Sequence, residues 1–126
     1  MLRITHAVEP EKMHDLLERV PRACIVFVNA GMVDIVPVEL RFQEGRYWIG
    51  ISGSESGAAP EPNERVKLLV DEGLYYFDMR GIWIGGRASF DEVLPEADRS
   101  PLNWFQLVPD KFIAWDFASM RDVSGQ

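Results

Sequence analysis

The segment RVKLLVDEGLYYFDMRGIWIGGRASF, which runs from Arg65 to Phe90, decides how this chain folds. Two runs rich in β-branched and aromatic residues, Val66–Asp71 and Met79–Phe90, flank a turn marked by Glu72-Gly73. This pattern predicts a long antiparallel hairpin. The second arm contains three glycines, Gly81, Gly85 and Gly86. Because glycine weakens a strand interior, we expect the backbone there to bend, or to lie close to a ligand or another chain.

The composition predicts one globular domain over residues 1–126. A chain of 126 residues that is 47% hydrophobic and 26% charged is long enough for a sizeable core. Its net charge is −7, and its thirteen basic residues form no run and no basic helix face. These features argue against a nucleic-acid partner and against an anionic membrane surface.

The single cysteine and the N-terminal sequence indicate a cytoplasmic protein. Cys24 lies in the apolar run ACIVFV and has no second cysteine for an internal disulfide, so a reducing compartment is the simpler expectation. The N-terminal residues MLRITHAVEPEK include no apolar signal-peptide region. No stretch approaches the roughly 20 apolar residues that a membrane span needs.

The rest of the chain predicts one helix followed by strands. Pro10 suits a first helical turn, and apolar residues then repeat at helical spacing, so we expect a helix over Glu9–Val20. The remaining strands are expected at Ala23–Val28, Val33–Phe42, Arg46–Ile51, Trp104–Val108 and Lys111–Phe117, with a loop or helical turn at Asp91–Ser100. Pro37 must lie at a sheet edge or a bulge. One helix and about six or seven closely spaced strands indicate a closed or partly closed antiparallel barrel.

Side chains that could carry chemistry are sparse. His6 and His14 are the only histidines and no Cys/His cluster exists, so we expect no metal site. Cys24 is more typical of an inert core residue than of a nucleophile. No G-x-S-x-G context surrounds the serines, and no catalytic residue can be assigned. The ten or so aromatic side chains of the strands favour a core or a dimer interface over a ligand pocket.

In order and spacing, several segments together resemble the FMN-binding split barrels of the pyridoxamine-phosphate-oxidase-like class, including their deazaflavin-dependent relatives. The matching segments are EKMHDLLERV, the strand that starts at Arg22, IVPVELRF, GRYWIG, ERVKLLVDEG, RGIWIGGRASF and VPDKFIAWDF. They cover roughly Glu9 to Phe117. The resemblance implies an antiparallel split β-barrel with an N-terminal helix.

The resemblance also implies a function. In such proteins the flavin carries hydride or electrons, and the protein positions it at the interface of a homodimer. Carried over by position, Val36, Pro37 and Val38 would lie along the isoalloxazine edge. Ser52 and Ser54 of the following loop would lie near the ribityl phosphate, and Ser52, Ser54 and Ser56 could form an anion nest with the backbone N–H groups beside the loop glycines. Arg80 and Gly81 of the partner subunit would approach the ring from the other side.

The loop Ser52–Glu64, SGSESGAAPEPNE, departs from the family pattern. Family members commonly have a segment of the type G-S-R-K-x-x-N-L here, whose basic residues grip the phosphate. In this chain the lysine position falls on Ser56 or Gly57, and the loop contains three glutamates and no lysine or arginine. Carboxylates repel a phosphate, so the departure predicts low FMN affinity, a different cofactor or none.

Three interpretations remain open from the sequence. The first is an FMN- or deazaflavin-dependent oxidoreductase that acts on a small organic substrate. The second is a non-catalytic split barrel that binds a small ligand or serves as a dimeric partner module. The third is an unrelated antiparallel barrel. The glycine-bearing strand and the Ile35–Phe42 strand favour the first, whereas the acidic loop favours the second.

Overall fold

The structure, a computed structural model, describes residues 4–52, 59–75, 78–95, 100–117 and 121–122. A 3₁₀ turn at Pro10–Met13 runs directly into the helix α1 (His14–Arg19). The strands in chain order are β1 (Ile4–Thr5), β2 (Ala7–Val8), β3 (Ala23–Asn29), β4 (Met32–Pro37), β5 (Glu39–Gln43), β6 (Arg46–Ile51), β7 (Arg65–Glu72), β8 (Arg80–Ser89), β9 (Asn103–Asp116) and β10 (Arg121–Asp122). None of the helices in these ranges is long and apolar enough to cross a membrane.

Seven strands form one curled antiparallel sheet in the order β4-β3-β7-β8-β9-β6-β5. Strand β2 pairs with β9, and β1 pairs separately with β10. The two edge strands of the seven, β4 and β5, are consecutive in sequence and are separated only by Val38. The chain therefore passes from one edge of the sheet to the other at a single residue. The sheet must curl to bring its two edges together in this way, and it forms a half-barrel. The predicted split barrel of six or seven strands with an N-terminal helix is confirmed.

Alternation along the strands creates two faces of the sheet. The inner face carries the core, which includes Ile25, Leu68, Ile84 and Leu107, all fully buried. Burial of each such aliphatic side chain contributes about 1.5–3 kcal/mol. We call the opposite side the outer face; the residues between the core positions of β3, β7 and β8 lie there, since successive strand side chains point to opposite faces.

The N-terminal helix closes one end of the inner face. Met13, Leu16 and Leu17 are buried against the sheet, as the predicted helical spacing requires. Val20 ends the helix in a left-handed conformation with φ of 45°, and its N–H donates to the Leu16 carbonyl. The predicted helical segment is thus confirmed in place, but its first half is 3₁₀ rather than α.

Three strand boundaries differ from the predictions. The strand expected at Val33–Phe42 is two strands, because the chain turns at Val38 from β4 into β5. The hairpin is confirmed, but its connection runs from residue 73 to residue 79 and is longer than a tight turn. Residues 91–95 contain bends and a turn, and residues 96–99 lie outside the described part of the chain.

The third difference concerns the last strands, which are one continuous strand of 14 residues, β9. Its pairing with β8 shifts between Gly85, opposite Lys111, and Gly86, opposite Pro109, so Asp110 is an extra residue in a β-bulge. A Cβ on Gly86 would collide with the Val108 carbonyl oxygen. The bulge thus explains one of the three glycines by close approach of the chain's own backbone.

Candidate functional site

The corner between β4 and β5 holds three of the predicted site residues. Val36 packs against the core, Pro37 is exposed at the end of the edge strand, and the Val38 N–H donates to the Ala23 carbonyl at 3.1 Å. The last registered pair of β5 and β6 joins Glu39 and Gly50. Ser52 therefore follows two residues beyond that pair, on the chain that passes this corner.

Arg80 and Gly81 lie at the same end of the sheet as the corner but on a different strand. Cys24 pairs with both Pro37 and Leu69, and Leu69 pairs with Trp83, two residues after Gly81. Three strand spacings, about 14 Å, separate β4 from β8. Within one chain the two groups of predicted residues therefore do not share a cleft. The prediction that a partner subunit brings them together remains a prediction.

The Arg80 guanidinium is bound to carboxylates. It donates to Asp15 at 2.8 and 2.9 Å and to Glu72 at 2.9 Å. Arg19 also donates to both carboxylates, so the four side chains form an alternating charge network between α1 and the β7–β8 hairpin. Hydrogen bonds from Arg80 and Arg19 hold the pKa of Asp15 well below its usual range. This network was not expected from the sequence, because its members are far apart in the chain.

At two other glycines, an indole ring of the same chain occupies the space where a side chain would lie. A Cβ on Gly81 would lie 2.5 Å from the Trp115 ring, and one on Gly50 would lie 2.8 Å from the Trp104 ring. Trp115 and Trp104 are the direct cross-strand partners of these glycines. The glycines of β8 predicted a bend in the backbone or the close approach of a ligand or another chain, and at Gly81 the group that approaches is a tryptophan of the same chain. The sequence signal for this packing was a glycine on one strand directly opposite a tryptophan on the next strand.

The outer face has an apolar half on β4 and β3. Ile35, Val33 and Val28 are 68%, 65% and 53% exposed. Val26 pairs with Ile35 and continues this surface toward β7. Contiguous exposed β-branched side chains on an edge strand are typical of a surface that associates with another molecule.

The outer face also has a cationic part on β7, β8 and β9, which was not predicted from the sequence. Lys67 and Lys111 pair with Gly85 from opposite sides, and their ammonium groups lie 5.0 and 5.7 Å from the Trp83 ring centroid. Arg65 binds Asp110 through two contacts of 2.6 and 3.0 Å. The sequence signal for this part was the presence of Lys67 and Lys111 at outward-facing positions of the two strands beside β8.

A cavity of about 680 Å³ lies near the end of β6, at the start of β9. It is lined by Ala59, Phe90, Ser100, Pro101, Leu102, Asn103 and Trp104. The buried Trp104 Nε1 has no hydrogen-bond partner in the described part of the chain, and the Arg41 guanidinium lies 4.9 Å from the ring centroid. Among the aromatic side chains of the strands, Trp48 and Phe105 are buried in this part of the fold.

The residues at the corner suit a flavin ring better than its phosphate. The edge strand offers backbone groups, and the adjoining outer face is apolar. Two arginines at this end of the sheet are already paired: Arg22, just before β3, with Asp71 at 2.7 Å, and Arg80 of β8 with two carboxylates. Ser54, predicted near the phosphate, and Ser56, predicted as part of an anion nest, lie outside the described residues. Within those residues no group of three or more His, Cys, Asp or Glu side chains could hold a metal ion.

No protein-family model and no curated protein sequence matches this chain. Solved structures do match over most of it. The FAD-binding protein from Mycobacterium smegmatis has a TM-score of 0.64 at 18% identity, and the match covers 90% of this chain and 96% of that one. A candidate pyridoxamine 5'-phosphate oxidase from Corynebacterium glutamicum also has a TM-score of 0.64 at 18% identity, with 90% and 94% covered.

A third match is an FAD-binding protein from Mesorhizobium loti, with a TM-score of 0.59 at 12% identity and coverage of 90% and 96%. At such identities the likeness is one of fold. The chain therefore has the split-barrel fold that these flavin-binding proteins and oxidase-like proteins share. The resemblance to FMN-binding split barrels is confirmed at that level.

Proposed function

We propose that this protein binds a flavin nucleotide at a homodimer interface and acts as an oxidoreductase on a small organic substrate. The observation that carries the proposal is the Pro37–Val38 corner, where an exposed edge strand, an apolar outer face and Ser52 adjoin in a fold shared with FAD-binding proteins. The cytoplasmic location predicted from the single cysteine is part of the same proposal.

The exposed apolar half of the outer face supports the proposal of a homodimer. Val28, Val33 and Ile35 are each more than half exposed on adjacent strands. A second copy would cover them through the same surface, since two-fold interfaces are self-complementary. Cofactor and substrate would then occupy the cleft between the copies, where water is excluded.

The residues that would hold the flavin are those of the corner. Backbone groups of Val36, Pro37 and Val38 would face the ring, with Gly81 of the second copy, and the Trp115 ring that lies over it, on the other side. Ser52, together with the predicted Ser54 and Ser56, would face the ribityl phosphate. The flavin would supply the redox chemistry, and this chain would position it and shield it from water.

One observation favours a second candidate, a dimeric split barrel without a cofactor. Arg80, which the resemblance carries to the ring, already makes three short hydrogen bonds to carboxylates. The loop that should grip the phosphate contains no lysine or arginine. A protein that kept the fold and lost the cofactor would have these features.

The visible spectrum of the purified protein, before and after addition of FMN, FAD or a deazaflavin, decides between the two candidates. A flavin absorption band, or quenching of flavin fluorescence at micromolar protein, supports the first. A colourless protein that ignores all three cofactors at tens of micromolar supports the second.

A further inference from the structure

We propose that the outer face around Trp83 is an anion-binding site, one that takes the phosphate end of a planar or apolar ligand. Four cations gather there on a chain whose net charge is −7: Arg65, Lys67, Arg87 and Lys111. Among the described residues the only carboxylate bound by any of the four is Asp110, which is held by Arg65. The group therefore carries an excess of positive charge.

Trp83 determines where the two lysine ammonium groups lie. The indole extends along β8 toward Gly85, whose missing side chain leaves room for it; a Cβ there would lie 3.1 Å from the ring. Lys67 and Lys111 approach the ring from β7 and β9, one on each side of Gly85. Cation–π attraction holds both ammonium groups near one ring despite their mutual repulsion. Neither lysine has a carboxylate partner in the described part of the chain.

Two further arginines strengthen the positive field. Arg87 donates to the Asn63 carbonyl at 2.9 Å, and this neutral acceptor leaves its charge uncompensated. The charges of Arg87 and Lys111 add to the Arg65 hydrogen bond in lowering the pKa of Asp110. All three cations therefore act on the same region of the surface. A phosphate placed between the lysines would gain charge-assisted hydrogen bonds from both.

The neighbouring surface suggests the chemistry of the rest of the ligand. Val26 is the direct cross-strand partner of Lys67, and Leu69 lies two residues along β7 on the same face. Both are half-buried and apolar. An apolar or planar body fits against them while its phosphate reaches the lysines. This inference departs from the flavin proposal in the position of the phosphate: an FMN bound here places its phosphate between Lys67 and Lys111 and not at Ser52, and any other phosphorylated planar molecule has the same chemistry.

The test compares FMN with riboflavin, which has the same ring without the phosphate. The wild-type protein should bind FMN about tenfold or more tightly than riboflavin, because each lost charged hydrogen bond weakens binding by about tenfold. Lys67→Gln/Lys111→Gln should abolish this preference. Lys12→Gln, which replaces the one lysine outside this group, should keep the preference for FMN. Trp83→Phe should also keep the preference, whereas Trp83→Leu should reduce it. Circular dichroism confirms that each variant is folded.

A preference for FMN that survives in the double lysine variant would overturn the inference, and so would equal wild-type binding of FMN and riboflavin. If neither flavin binds, the flavin proposal fails by itself and calorimetry with inorganic pyrophosphate decides the anion site. Pyrophosphate binding that disappears in the double variant supports the site. Absence of pyrophosphate binding to the wild-type protein, or binding that persists in the double variant, overturns it.

Discussion

Arg80 and Asp15 form a two-point ion pair, Nη1 to Oδ2 at 2.8 Å and Nη2 to Oδ1 at 2.9 Å, which fastens α1 to the first residue of β8. The Arg80 side chain is 24% exposed and also binds Glu72. A residue that the family resemblance assigns to the cofactor thus has a structural role within its own chain. Its commitment to two carboxylates makes it a useful position for testing the fold.

Arg80→Gln should destabilise the protein by about 1–2 kcal/mol, because it leaves two partly buried carboxylates with fewer donors. Urea unfolding followed by circular dichroism measures the free energy of unfolding. Arg46→Gln, which breaks the exposed Arg46–Glu92 pair, is the control and should cost less than about 0.5 kcal/mol. Equal effects of the two substitutions would contradict a structural role for the network.

Acid should destabilise the protein through the same network. Hydrogen bonds lower the pKa of Asp15 and Glu72 in the folded state, so the unfolded chain binds more protons in acid. The stabilisation is therefore complete above about pH 5 and is lost as the pH falls below about 4. Unfolding free energies measured from pH 7 to pH 2.5 should show this fall. In Arg80→Gln the fall should be shallower, and an unchanged slope would count against the prediction.

Gly86→Ala should be more destabilising than Gly85→Ala. At Gly86 the new methyl would meet the Val108 carbonyl in the bulge, so backbone must move at a cost of about 1–3 kcal/mol. At Gly85 it would meet the Trp83 ring, a side chain that can shift, and we expect less than about 1 kcal/mol. Thermal unfolding of the two variants provides the comparison. The reverse order would show that β9 does not bulge at Asp110.

Ile35→Lys should convert the proposed homodimer into monomers. The substitution places a charge in the centre of the apolar half of the outer face, where desolvation of an unpaired ammonium opposes association. Val93→Lys changes an equally apolar side chain, 76% exposed, in the loop after β8 and is the control. Sedimentation equilibrium measures the molecular mass. A wild-type monomer would remove the basis for an interface site.

The Cys24 thiol should react slowly with alkylating reagents at pH 8. Burial raises its pKa, and the nearby Asp71 carboxylate raises it further, so the reactive thiolate is scarce in the folded protein. We expect alkylation to be at least severalfold slower than in the urea-unfolded chain, as followed by mass spectrometry. Equal rates would mean that the outer face at Cys24 is open to reagent and that the thiol is not desolvated.

Much of the fold could be predicted from the sequence because strand signals are local. The β7–β8 hairpin and the strand β6 alternate or run apolar over five or more residues, and turn residues bound them. The predicted strand boundaries were wrong where strand pairing, and not the local sequence, determines them. Val38 carries no turn signal, yet the chain leaves β4 for β5 there, and Pro109-Asp110 reads as a turn although β9 continues through it as a bulge.

The three glycines of β8 show the same difference between what local sequence predicts and what strand pairing determines. From sequence, the three glycines of β8 indicated that something approaches the backbone closely. What approaches depends on which residues stand opposite in the folded sheet: the Trp115 ring at Gly81, the bulged backbone of β9 at Gly86, and Trp83 of the same strand at Gly85. These partners are set by cross-strand register, which a local pattern does not encode.

By itself, the sequence determined a mainly β chain with a leading helix, an acidic balance and a loop after β6 without positive charge. Those properties depend on residue type and local spacing. Only the tertiary structure decided that Arg80 is engaged by Asp15 and Glu72, and that Lys67 and Lys111 meet at Trp83. Residues 44 positions apart become neighbours when antiparallel strands pair on both sides of β8, so the cationic group exists only in the folded sheet.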